Sequence, residues 1–176
     1  MEHKKSHFVG ATGTYYVMSK LSYECIHASA TFGNAPYIDI VASSEKGDRQ
    51  IAIQVKTADF ARRGGNERNG WAFKSLDWPL SYKAATLGLD NLFFVFVDLG
   101  GERMTEEDWK SGHRQPTTYI VPSKALSNEI CKYWTEGAWR LQVDIAVMDP
   151  YKENWELLKT ALSYPSGENV ATLDEE

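Results

Sequence analysis

Asp39, Gln54 and Lys56 are the residues whose types and spacing speak most directly of chemistry. They lie on two stretches that alternate with a period of two, Tyr37 to Ser43 and Gln50 to Thr57, on either side of the turn Glu45-Lys46-Gly47-Asp48. A hairpin symmetric about the Lys46–Gly47 junction pairs residues whose numbers sum to 93. Asp39 then faces Gln54, and Lys56 follows two residues further along the same face. A carboxylate, an amide and an ammonium share one surface, while Ile51, Ile53 and Val55 fill the other.

One reading of this face is that it is simply solvated, as on many antiparallel hairpins. The chemical reading is a hard divalent cation, Mg²⁺ or Mn²⁺, held by Asp39 and the side-chain carbonyl of Gln54, with substrate phosphate and water completing the shell. Lys56 would orient or deprotonate the attacking water, or stabilise charge developing on the phosphate. Phosphodiester hydrolysis is the reaction that this combination suits.

The elements needed to position these groups are legible around them. Thr12 is placed to cap a first helix running to about Glu24, with Thr14, Val17, Met18 and Leu21 on its core face. Ile26 to Thr31 precedes the hairpin as a further strand, and Arg62 to Gly70 reads as an exposed, mobile loop with three arginines and three glycines. Trp78-Pro79 opens a helix through about Leu87, and Leu92 to Asp98 and Thr118 to Val121 read as buried strands. Ser123 caps a helix carrying Leu126, Ile130, Tyr133 and Trp134, and a last helix spans about Tyr151 to Leu162. The order predicts an α/β sandwich with a mixed central β-sheet flanked by helices.

The run Pro36-Tyr37-Ile38-Asp39, a turn, then Gln54-Val55-Lys56 resembles the core of the PD-(D/E)XK nucleases, the superfamily of restriction-type endonucleases, Holliday-junction resolvases and related repair enzymes. The likeness is sharper with a mostly uncharacterised bacterial branch of that fold, through Gly33-Asn34-Ala35-Pro36, Ile38-Asp39-Ile40, Ile53 to Thr57, Phe94 to Asp98, Tyr119 to Ser123 and Asn154 to Leu158. The resemblance implies a restriction-endonuclease-like fold and a metal-dependent deoxyribonuclease. Asp39, Gln54 and Lys56 would be its catalytic residues, and Asp39, Gln54 and the backbone carbonyl of Val55 its metal ligands.

Two positions depart from that pattern. Thr14 stands where the first helix of the family often presents Glu, and Gln54 replaces a second acid, with Glu24 and Asp59 the nearest carboxylates available to compensate. Each lost unit charge removes on the order of a few kcal/mol of attraction for a divalent ion at an effective dielectric near ~20. The alternative reading is therefore a catalytically inactive nuclease-fold protein that binds nucleic acid or a protein partner.

The chain of 176 residues carries 19 basic and 24 acidic side chains, which excludes a global nucleic-acid footprint. The charge is uneven, however: residues 49–74 hold a net +4 and the remainder −9. Arg62, Arg63, Arg68 and Lys83 are the candidate phosphate contacts, with Trp71 the candidate for stacking on a base. DNA is the implied partner, and a homodimer is one assembly open to such a domain.

Cys25 and Cys131 form no metal-ligand pattern and read as two buried small hydrophobes in a reducing compartment. No signal peptide is expected, since Gly10, Thr12 and Gly13 follow the charged N-terminus in place of an apolar stretch, and no membrane span, since the longest apolar run is only Leu92 to Val97. One cytoplasmic domain over residues 1–165, with an acidic tail from 166 to 176, is the expected organisation.

Overall fold

Strand β6 (Leu92–Asp98), apolar up to its final acid, is buried at all seven residues. This is the pattern of a strand covered on both faces. In the computed structural model, which describes residues 2–31, 37–65, 72–101 and 115–163, it joins a five-stranded sheet. The other members are β1 (His27–Ala30), β2 (Ile40–Ser43), β3 (Gln50–Ala58) and β7 (Thr117–Pro122), in the order β1-β2-β3-β6-β7. Only the β3–β6 pair is parallel, so the sheet is mixed as the sequence predicts.

One face of this sheet is covered by α1 (Glu2–Tyr23), through Val17 and Leu21, and by a C-terminal helix (Glu156–Leu162), through Leu158 and Leu162. These side chains pack with Ile40, Ile53, Val55, Val95 and Ile120. The other face packs Phe94, Phe96, Tyr119 and Val121 against a second, three-stranded sheet of β4 (Arg62–Arg63), β5 (Ser75–Pro79) and β8 (Arg140–Asp144). Trp78 of β5 anchors that layer. It is fully buried, its ring lies 5.1 Å from Phe96 and 5.6 Å from Tyr119, and its indole N–H donates to the Val97 carbonyl at 3.2 Å. The result is an α/β fold with a mixed sheet flanked by helices, and the small sheet is an addition the sequence reading lacks.

Several boundaries differ from expectation for identifiable reasons. The first helix starts at Glu2, because nothing before Thr12 breaks it; Thr12 Oγ1 donates back to the Phe8 carbonyl instead of capping. Gly13, not Thr14, is the residue pressed on the sheet, and Thr14 is half-buried with its hydroxyl donating to the Gly10 carbonyl. Trp78-Pro79 ends strand β5, and only then does Ser81 cap the short helix α2 (Tyr82–Ala85) by accepting the Ala84 N–H at 3.3 Å.

Ser123 is the first helical residue of α3 (Ser123–Ala125), which passes at once into a π-helical turn, Leu126–Ile130. Its hydroxyl accepts the Leu89 N–H, and Tyr133 beyond it is 85% exposed instead of facing the core. A further short helix, α4 (Ile145–Met148), precedes the last one, α5 (Glu156–Leu162), which begins later than predicted. Trp155 is buried as expected; Cys131 is buried, but Cys25 is exposed.

Candidate functional site

The hairpin register is the one its turn dictates. The rungs Ile40↔Ile53, Val41↔Ala52, Ala42↔Ile51 and Ser43↔Gln50 all follow the 93 rule. Gly47, at φ 71°, takes the left-handed position that glycine adopts without strain. Ser44 closes the turn by donating to Asp48 Oδ1 at 2.6 Å and accepting the Arg49 N–H at 3.1 Å.

The ladder ends at Ile40, and Asp39 departs from it by one residue. Its N–H donates to the carbonyl of Ile53, the residue already opposite Ile40, at 2.9 Å. Its Oδ2 accepts the Val55 N–H at 2.7 Å, and its carbonyl accepts the Thr31 N–H. The carboxylate therefore lies against the β3 backbone between Gln54 and Lys56, instead of squarely opposite Gln54. Because the N–H and C=O of one strand residue point to the same edge, the Val55 carbonyl also faces the Asp39 side.

Gln54 and Lys56 share the face that carries Phe94 and Phe96, their partners across the parallel pair. Gln54 is only 8% exposed, and its Oε1 has no hydrogen-bond partner among the described residues. An unsatisfied buried amide oxygen costs about 1–3 kcal/mol, so it is a position that a donor or cation would relieve. Burial pushes the Lys56 ammonium below the ordinary lysine range, and the Asp39 carboxylate pulls against that shift. Three oxygens of the right type for a hard cation are thus carried by neighbouring residues of the hairpin: the Asp39 carboxylate, Gln54 Oε1 and the Val55 carbonyl. Only one of them is charged, and no group of three or more His, Cys, Asp or Glu side chains suited to a metal occurs among the described residues. Glu24 is engaged elsewhere, bridged to Lys159 at 2.6 Å.

The arginine segment is not uniformly the exposed loop that its composition suggests. Arg62 and Arg63 form β4, and Arg62 is 7% exposed, with Nε 3.4 Å from Asp98 Oδ2 and donating to the Gly101 carbonyl at 3.1 Å. Arg63 donates to the carbonyls of Phe60 and Arg62 and lies 3.3 Å from Asp77, which also receives Arg140. Both guanidinium groups thus have partners within the protein, with Arg62 buried and Arg63 half-exposed. Lys83 is exposed on α2, whereas Arg68 and Trp71 lie outside the described residues, as does the 166–176 tail.

Asp98 is the residue that motif spacing misses. It ends β6 on the same face as Lys56, is fully buried, and accepts the N–H groups of Ala61 at 2.9 Å and Gly100 at 3.2 Å. Burial raises its pKa, against the opposing pull of those amides and Arg62. The available signal was an acid closing an otherwise apolar run.

On the reverse of β3, a Cβ at Gly13 would come within 1.9 Å of Thr57 Oγ1, so glycine is what lets α1 approach the strand that holds the site. No helix among the described residues is long and apolar enough to cross a membrane. No protein-family model, curated protein or solved structure matches the chain.

Proposed function

We propose that the chain is a restriction-endonuclease-like protein of the PD-(D/E)XK type, hydrolysing phosphodiester bonds of DNA with Mg²⁺ or Mn²⁺ in the reducing cytoplasm. The observation that supports it is the constellation formed by β3 and the residue that precedes β2. Asp39 is clamped by the Val55 N–H, between buried Gln54, whose Oε1 has no partner among the described residues, and the partly desolvated Lys56. Asp39, Gln54 and the Val55 carbonyl would hold the ion, which when bound supplies Lewis acidity toward the phosphoryl group. Val55 fixes the carboxylate in advance, so that little reorganisation is needed on binding. Lys56 donates hydrogen bonds to the oxygens that gain charge at phosphorus, and its low-dielectric surroundings strengthen that interaction.

The test is cleavage of linear, nicked and branched DNA with either metal, comparing wild type with Lys56→Ala. Activity that disappears in the variant supports the reading; equal inertness of both proteins on every substrate overturns it.

The presence of only one carboxylate favours a second reading, a non-catalytic nuclease-fold protein that binds nucleic acid or a protein partner. It predicts no Mn²⁺ binding by calorimetry. Binding that is lost in Asp39→Ala removes it.

A further inference from the structure

The face that carries Gln54 and Lys56 continues outward across the hairpin and onto the edge strand. The registers set His27, Ser43 and Gln50 in one row, and Ser29, Val41 and Ala52 in the next, leading to Gln54 and Lys56. The opposite face of the same strands, Ile40, Ala42, Ile51 and Ile53, is in the core. On the outward face His27, Ser29 and Gln50 are exposed, and with Val41 and Ser43 they line an open depression of about 290 Å³.

This surface is unusual for its chain. A protein with 24 acidic and 19 basic residues presents here two rows without a carboxylate, built of small or hydrogen-bonding side chains. From Gln50 to Lys56 the strand runs ~20 Å, and three strands span ~10 Å. That length is enough for a few successive phosphates of one nucleic-acid strand. The rows carry no Phe, Tyr or Trp on which bases would stack, so they suit the backbone and not the bases.

We propose that this platform binds the sugar–phosphate backbone of one DNA strand and leads it to Asp39, Gln54 and Lys56, with His27, Ser29 and Gln50 donating hydrogen bonds to phosphate oxygens. It rests on the nuclease reading for the identity of its ligand.

The test is anisotropy of a labelled 30-mer, as duplex and as single strand, titrated with the full chain in EDTA. Ser29→Glu/Gln50→Glu weakens binding about tenfold or more relative to Ser19→Glu/Ser22→Glu, which adds the same charge on the exposed side of α1. His27→Ala/Gln50→Ala weakens it about threefold without changing the salt slope, because no cation is removed. This neutral pair carries the test if circular dichroism finds the charged variant unfolded. The stronger of the two DNA arms identifies the form that the platform takes.

If wild type cleaves DNA and the platform variants bind like the control, the platform is wrong and the nuclease reading stands. Wild type that binds without cleaving, with binding lost in the platform variants, keeps the platform and removes hydrolysis. Wild type that neither binds nor cleaves overturns both.

Discussion

Asp39 and Val55 are joined across the open end of the hairpin, carboxylate Oδ2 to backbone N–H at 2.7 Å. This bond gives Asp39 a structural duty separable from its charge. Asp39→Asn keeps an acceptor for the amide and is expected to cost under about 1 kcal/mol, whereas Asp39→Ala strands the N–H and costs about 1–3 kcal/mol by urea unfolding. Both variants lose Mn²⁺ binding by calorimetry. Asn that binds the ion as tightly as Asp would show that the carboxylate is not a ligand.

Burial disfavours the Lys56 ammonium, against the pull of Asp39, so an apolar side chain is expected to be more stable at that position. Lys56→Met is expected to raise Tm by about 2–4 °C at neutral pH, equivalent to about 1 kcal/mol, while abolishing cleavage. Because the folded pKa lies below 10.5, the unfolded chain binds more protons between those two values, and wild-type stability rises with pH through that window. The advantage of the variant therefore shrinks toward pH 10. An advantage that does not shrink contradicts the assignment.

Arg62 answers a charge that has no other cationic partner among the contacts described for it, the fully buried Asp98. Arg62→Met is expected to cost about 3–5 kcal/mol, and Asp98→Asn with Arg62→Met to recover much of that loss. The raised pKa of Asp98 means that the folded state binds more protons just above the ordinary carboxylate range, so its contribution to stability falls as pH rises through that window. In Arg62→Met the fall becomes steeper. A double variant no more stable than the single one would show that the pair does not act as a unit.

Gly13→Ala drives a methyl group into Thr57 and should destabilise by about 1–3 kcal/mol, with part recovered by Thr57→Ala. Thermal unfolding of the three variants reads this directly. A fully tolerated alanine would mean that α1 stands further from β3.

Lys83, exposed on α2, is the candidate phosphate contact to vary without disturbing an internal ion pair. Lys83→Ala is expected to weaken DNA binding and to reduce the slope of log K against log salt by about one. An unchanged slope removes Lys83 from the DNA path.

What was legible in the sequence follows physical locality. The hairpin register came from a short turn with its own chemistry, and β6 from an unbroken apolar run. The misreadings occur where distant partners decide. Trp78 looks like a helix start until the buried surface of Phe96 and Tyr119 claims it for a strand, and Arg62 looks solvated until Asp98, 36 residues later, meets it. Asp39 slips one residue because the ladder stops at Ile40, a change that alternation alone does not encode.

The parallel junction between β3 and β6 also sets a sequence of events in time. The β2–β3 hairpin closes over a turn of a few residues, so Asp39 can meet Val55 early, on the microsecond scale of hairpin formation. Pairing Ala52 with Leu92 must first close a loop of some forty residues, an entropic cost met before any contact offsets it. During that interval Gln54 and Lys56 remain hydrated, and only when Phe94 and Phe96 arrive beside them is Gln54 buried and Lys56 partly desolvated. The step that assembles the candidate site is thus the slow docking of the chain's two halves, and a chain stalled before it would expose the bare edge of β3 to other unfinished copies.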